Sequence, residues 1–135
     1  MQRLLIIHTP DADLKDIASG IKEGAEAQGV RVDMKNTKDI GTGISFYHYD
    51  LIAAGSPTKG IFKGKIDKSL NKFLSEAKRT GGAEAVAFVK PRFFATNKAL
   101  KKVMAALEAQ GCIVKNFKAL SDHRSAVEFG KNIKI

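Results

Sequence analysis

Short apolar runs alternate with longer amphipathic stretches along the whole chain. Five runs predict strands, at residues 3–8, 30–34, 49–55, 85–89 and 112–117. Between them, apolar side chains recur at helical spacing over residues 14–25, 66–77 and 100–107, and a short helix is predicted over 125–131. Residues 36–48 have no clear period, which predicts a loop with or without one short helix.

This alternation of strands and helices indicates a parallel sheet. Parallel neighbours need a long crossover connection, and the right-handed βαβ unit provides it. The pattern therefore predicts an α/β protein with a doubly wound five-stranded parallel sheet, and the strand order 2-1-3-4-5 is typical of a sheet of this size. We expect residues 1–135 to form a single domain.

Composition changes this picture little. The chain is 44% hydrophobic and 27% charged, which is ordinary for a globular protein. No apolar run is long enough for a membrane span, and the N-terminal residues do not resemble a signal peptide. The single cysteine, Cys112, allows no intrachain disulfide. We therefore expect a cytoplasmic protein that does not associate with membranes.

The net charge of +9 belongs to one half of the sequence. Residues 1–67 carry nine basic and nine acidic side chains, whereas residues 68–135 carry fourteen basic and five acidic ones. This asymmetry favours an acidic redox or regulatory protein as partner, and a solvated lysine-rich surface is the alternative. Lys98, Lys101 and Lys102 could contact nucleic-acid phosphates, but no RNA-binding motif accompanies them, so we do not expect nucleic acid as the partner.

The strand order predicts where a ligand site lies. Open parallel sheets bind ligands beyond the carboxyl ends of their strands, where the strand order reverses. Here that point brings together the loops after strands one, three and four, whose hydroxyls, aromatic rings and cations suit a planar ring. The residues that carry this prediction in the last two loops are Ser56, Thr58, Gly60, Phe62, Lys90, Arg92, Phe93 and Phe94.

Residues 49–60, YDLIAAGSPTKG, resemble the third strand and following loop of flavodoxins. In that family a tyrosine–aspartate pair opens a hydrophobic strand that ends in a Gly-Ser-Pro-Thr loop beside the flavin. The resemblance implies an FMN-binding electron-transfer protein in which Ser56, Pro57, Thr58 and Gly60 line one side of the isoalloxazine ring and residues 90–94 line the other. Lys59 departs from the aromatic residue of many flavodoxins, a role that Phe62, Phe93 or Phe94 could take.

The first-strand loop departs further from the family, in which hydroxyls and a helix N-terminus hold the FMN phosphate. Thr9 keeps one hydroxyl, but Pro10 has no N–H, and Asp11 and Asp13 bring two carboxylates to the phosphate position. Leu14 also stands where another hydroxyl is expected. Losing three hydroxyl bonds to a charged phosphate costs about 4.5 kcal/mol, roughly a thousandfold in affinity. Two hypotheses follow: an FMN-binding redox protein, or a flavodoxin-fold regulatory or protein-binding module that does not bind flavin.

Single residues in this region have alternative interpretations. Asp11, Asp13 and Asp16 could coordinate Mg²⁺ or bind a cationic ligand, but an N-cap with first-turn charges is the commoner role, and we expect Asp13 to be the cap. His8 could act as an acid or base, although a strand-end histidine bonded to neighbouring backbone is the commoner arrangement. No nucleophile–base pair is recognisable, so the sequence does not support hydrolase chemistry.

Overall fold

The computed structural model describes residues 1–39, 43–60, 62–92 and 94–135. In these residues five strands form one sheet in the order β2-β1-β3-β4-β5, and all four strand pairs are parallel. The strands are β1 (Arg3–His8), β2 (Arg31–Asn36), β3 (Leu51–Pro57), β4 (Glu84–Lys90) and β5 (Ile113–Ala119). The predicted fold class and strand order are therefore confirmed.

Four α-helices accompany the sheet in the described parts of the chain. They are α1 (Ala12–Ala27), α2 (Lys68–Glu76), α3 (Thr96–Glu108) and α4 (His123–Lys131). A 3₁₀ turn (Phe46–His48) precedes β3, within the segment that was predicted as a loop around at most one short helix. The predicted second helix is shorter than its apolar period, because Asp67 caps it by accepting a hydrogen bond from Ser69 N at 2.9 Å.

The core lies on both faces of the sheet. Alternate residues of β1 point to opposite faces, so Leu5 and Ile7 pack with α2 and α3, while Leu4 and Ile6 pack with α1 and α4. Both faces are covered, which explains why the central strands are continuous apolar runs. Among the described residues, no helix combines the length and the apolar character that crossing a bilayer requires.

Helices α1 and α4 pack closely against each other along the second half of α1. A Cβ at Gly24 would lie 2.1 Å from the carbonyl oxygen of Val127, and a Cβ at Gly130 would lie 2.2 Å from that of Ile21. Neither contact leaves room for a side chain. The position of α1 matters because its first turn follows directly on β1, at the edge where the site is predicted.

Candidate functional site

The carboxyl ends of β1, β3 and β4 are neighbours in the sheet. Ile7 pairs with Ala54, and Pro57 pairs with Lys90, so the loops that leave these three strands lie side by side. This edge of the sheet, called the carboxyl edge below, is where the sequence predicted a ligand site.

Asp11 caps α1 with its own carboxylate. Its Oδ1 accepts hydrogen bonds from the backbone N–H groups of Asp13 at 3.0 Å and Leu14 at 3.2 Å. The helix begins at Ala12, so the prediction that Asp13 is the N-cap is wrong. Asp11 keeps a non-helical backbone (φ −59°, ψ 129°), which lets its carboxylate reach both N–H groups. The positive end of the helix dipole favours a carboxylate there.

The other two aspartates of this segment have separate partners. Asp13 lies in the first turn of α1, and its Oδ2 is 3.0 Å from Lys90 Nζ at the end of β4. Asp16 contacts His123 of α4, at 3.1 Å between Oδ1 and Nδ1. In the described residues no group of three potential ligands is arranged to hold a metal ion. Asp11 and Asp13 thus act as cap and first-turn charge.

A buried hydroxyl lies at the end of β1. Thr9 is 0% exposed, and its Oγ1 has no hydrogen-bond partner among the described residues. The preceding His8 is also buried, and its Nδ1 is 2.8 Å from the carbonyl oxygen of Thr9, which agrees with a histidine bonded to neighbouring backbone. An unpaired buried hydroxyl is unusual in a folded protein. Thr9 has no accessible surface, so its hydroxyl is covered by the chain itself.

The hydroxyls after β3 are occupied by the protein itself. Thr58 Oγ1 donates to the carbonyl oxygen of Lys90 at 2.7 Å, which ties the third-strand loop to the fourth. Ser56 Oγ donates to the carbonyl oxygen of Pro57 at 2.9 Å and accepts from Asp67 N at 3.0 Å. These two predicted site residues therefore fix the loop, and their hydroxyls are already paired.

The loop after β3 is also closed and held against α3. The backbones of Lys59 and Lys65 exchange hydrogen bonds of 2.7 and 2.8 Å. Lys98 Nζ donates to the carbonyl oxygen of Phe62 at 3.0 Å, and Lys102 Nζ donates to that of Lys63 at 2.8 Å. Sequence reasoning missed this role for Lys98 and Lys102. Their four-residue spacing on one helix face was the available signal.

Two exposed aromatic rings stack where the loops meet. The rings of Phe62 and Phe94 are nearly parallel, at 5°, with centroids 6.1 Å apart, and the residues are 66% and 82% exposed. Phe93, predicted as a neighbour, lies outside the described residues. The stacked pair of Phe62 and Phe94 offers a flat apolar surface of the kind that binds planar rings.

Two further predicted site residues have partners within the chain. The backbone N–H of Arg92 donates to Thr96 Oγ1 at 3.3 Å, and Lys59 pairs with Asp67 at 3.3 Å.

The opening residues of the 49–60 motif lie at the opposite edge of the sheet. Tyr49 donates its hydroxyl proton to Asp33 Oδ2 at 2.7 Å, and burial, with a smaller contribution from Asp33, raises the pKa of Tyr49 to about 12. Asp50 accepts a hydrogen bond from Arg3 N at 2.8 Å. These residues therefore anchor the start of β3 and take no part in the carboxyl edge.

Solved structures resemble this chain over nearly its whole length. Oxidised flavodoxin 1 from Bacillus cereus superposes with a TM-score of 0.71 at 17% identity, covering 96% of this chain and 95% of that one. A flavodoxin from the domain Archaea gives 0.71 at 17% identity, with 97% and 95% covered. Two-electron reduced Megasphaera elsdenii flavodoxin gives 0.64 at 14% identity, with 93% and 98% covered.

The fold is that of a flavodoxin. No protein-family model matches the sequence, and no curated protein matches it. At these identities the likeness to flavodoxins concerns the fold, so the ligand has to be argued from the residues of this chain.

FMN, the cofactor that the flavodoxin fold implies, fits only half of the carboxyl edge. Phe62 and Phe94 offer a flat surface for its ring. The phosphate does not fit at α1, because Asp11 already bonds the first free N–H groups and presents a like charge. Thr9 Oγ1, a buried hydroxyl without a partner among the described residues, has no accessible surface to offer a phosphate.

Proposed function

We propose that this chain is a flavodoxin-fold redox protein that holds a flavin at its carboxyl edge and exchanges electrons with a partner protein. The observation that carries the proposal is the exposed Phe62–Phe94 stack on the loops that meet there. Large exposed apolar patches commonly mark binding surfaces. Structural neighbours known in oxidised and two-electron reduced forms support the redox role.

In this proposal the flavin supplies the electron-carrying chemistry, and the chain binds and orients it. Phe62 and Phe94 provide the stacking surface. The bond from Thr58 Oγ1 to the Lys90 carbonyl keeps the third- and fourth-strand loops at a fixed separation. Lys98 and Lys102 hold the loop that carries Phe62 against α3. A ring bound there meets a preorganised surface, which lowers the entropic cost of binding.

The partner in this proposal is an acidic protein. Lys98 and Lys102 lie beside the aromatic stack, and the whole positive excess of the chain falls in residues 68–135. Attraction between opposite charges accelerates encounter and is screened by salt. Stopped-flow reduction by an acidic redox protein should therefore slow several-fold as ionic strength rises from about 0.01 M to about 0.15 M. A rate independent of salt contradicts an acidic partner.

One observation favours a second candidate, a regulatory or protein-binding module without flavin. Asp11 completes the start of α1 from within the chain, so the helix needs no bound anion there. In that case the Phe62–Phe94 stack is a protein-binding surface.

An NMR titration with riboflavin distinguishes the two candidates. The flavin proposal predicts amide shifts in the loops after β1, β3 and β4, and loss of these shifts in Phe94→Ala. Tyr47→Ala is the matched control, since Tyr47 is a similarly exposed aromatic residue on the 3₁₀ turn before β3. Shifts confined to the 630 Å³ cavity between β5 and α4 contradict the proposed location, and the absence of any shift favours the module.

A further inference from the structure

We infer that the carboxyl edge takes a flavin without a 5′-phosphate, so that riboflavin binds at least as well as FMN. This inference rests on the proposed function and specifies its ligand. It depends on two features of the first-strand loop and α1: the Asp11 cap and the Asp13–Lys90 pair.

The Asp11 carboxylate takes the place of an external anion at α1. Two N–H groups of the first turn, those of Asp13 and Leu14, already donate to its Oδ1. A phosphate could bond these groups only by displacing the carboxylate, which is covalently attached and remains nearby as a like charge. The usual advantage of a helix N-terminus for phosphate is therefore cancelled by the chain itself.

Lys90, the cation at the end of the fourth strand, is also paired with a carboxylate. Lys90 Nζ lies 3.0 Å from Asp13 Oδ2, and this pair bridges the end of β4 and the first turn of α1. A phosphate placed at α1 would have to compete with Asp13 for this lysine. Asp11 and Asp13 together thus oppose a dianion, and Lys90 offsets only one of their two charges.

A flavin without a phosphate avoids this opposition. The ring and ribityl chain of riboflavin carry no charge, so riboflavin does not meet the repulsion by Asp11 and Asp13 that opposes FMN. Thr9, at the end of β1, is 0% exposed, so its hydroxyl is covered by the chain and takes no part in this preference.

The test is a calorimetric titration of the wild type and three variants with riboflavin and with FMN. Asp11→Asn keeps a capping oxygen and removes the charge, whereas Asp11→Gly removes both the charge and the cap at little cost to the helix. Asp50→Asn is the matched control: it makes the same charge change at the opposite edge, where Asp50 accepts a hydrogen bond from Arg3 N.

For the wild type we expect riboflavin and FMN to bind within about threefold of each other. FMN affinity should rise by about threefold in Asp11→Asn and by about tenfold or more in Asp11→Gly, while riboflavin affinity stays unchanged. Asp50→Asn should leave both affinities unchanged.

Wild-type binding of FMN more than about threefold tighter than riboflavin overturns the inference and leaves the proposed function intact. Riboflavin binding with no FMN gain in Asp11→Gly overturns the role of Asp11. If neither flavin binds the wild type or any variant, the inference and the proposed function both fail.

Discussion

Two buried threonines mark the difference between the halves of the carboxyl edge. Thr9 is 0% exposed at the end of β1, and Thr58 is 3% exposed just after β3. Thr58 Oγ1 donates to the carbonyl oxygen of Lys90, whereas Thr9 Oγ1 has no partner among the described residues. The half after β3 and β4 is thus bonded internally and presents aromatic rings outward. In the half at α1, N–H groups of the first helical turn donate to the Asp11 carboxylate, and the Thr9 hydroxyl is left without a partner among the described residues.

Because of this difference, the half after β3 and β4 suits the ring of a flavin, whereas the half at α1 does not suit its phosphate. Flat stacking surfaces need only exposed aromatic residues on firmly held loops, which this chain has. Phosphate sites need unoccupied donors at a helix N-terminus, which Asp11 removes here. The shared fold positions both halves, and the side chains decide which half can bind a ligand.

The largest expected effect is a loss of stability on substitution of Gly64, which lies in the loop that carries Phe62 and packs against the start of α3. Its φ is +57°, and a Cβ would lie 2.6 Å from the carbonyl oxygen of Ala95. Gly64→Ala should lower the free energy of unfolding by about 2–3 kcal/mol, because left-handed strain and a clash with backbone add together. Urea denaturation measures the loss, and riboflavin affinity should fall with it.

Gly60→Ala is the control in the same loop. Gly60 also has a positive φ, +79°, but the nearest neighbour to a Cβ is Lys63 Cβ at 4.0 Å. Its alanine variant should lose only about 1 kcal/mol, from backbone strain alone. Equal losses in the two variants would show that the contact with α3 does not hold the loop.

Removal of the Thr9 hydroxyl and removal of the Thr58 hydroxyl should change the free energy of unfolding in opposite directions. Thr9→Val removes a buried unpaired group and should raise the free energy of unfolding by about 1 kcal/mol. Thr58→Val breaks the 2.7 Å bond to Lys90 and should lower it by about 1 kcal/mol. Chemical denaturation without ligand provides both values. Destabilisation by Thr9→Val would mean that this hydroxyl has a partner in the folded protein.

The smallest expected effect on stability is at His123 of α4, whose ring contacts Asp16 and Glu23 of α1. The hydrogen bond to Glu23, followed by contacts with Asp16, raises the pKa of His123 above its ordinary value of 6.5. The folded state therefore favours the protonated ring, and the stabilisation is complete below pH 6.5 and is lost as pH rises through the raised pKa.

Unfolding midpoints of the wild type and His123→Gln test this dependence. The stability difference between the two proteins should narrow as pH rises from about 5.5 to about 8.5, with riboflavin affinity unchanged. A difference that is constant with pH contradicts protonation of His123 as the source of the stabilisation.

The fold could be predicted because local pattern determines it. The continuous run Leu4–Ile7 indicates a strand buried on both faces, and β1 is one. Where the second helix begins was misjudged, since the cap at Asp67 limits the helix more strongly than the apolar period that includes Ile66.

The meeting of the three loops could be predicted from the sequence, but the bonds that those loops make could not. Strand order predicts that the loops after β1, β3 and β4 lie side by side, and the bond from Thr58 to the Lys90 carbonyl agrees with this. Two aspartates separated by one residue leave the choice of cap open, because either carboxylate could reach N–H groups of a first turn. The bond from Lys98 to the Phe62 carbonyl depends on the conformation of a loop, which sequence spacing does not specify.

The central claim is that the carboxyl edge binds the ring of a flavin. Its most direct test is the fluorescence of riboflavin titrated with the wild-type protein. We predict saturable quenching that fits one flavin per chain and is accompanied by a shift of the visible absorbance bands, because the ring leaves water for an aromatic surface. Fluorescence and absorbance that stay unchanged up to about 100 μM protein would contradict it.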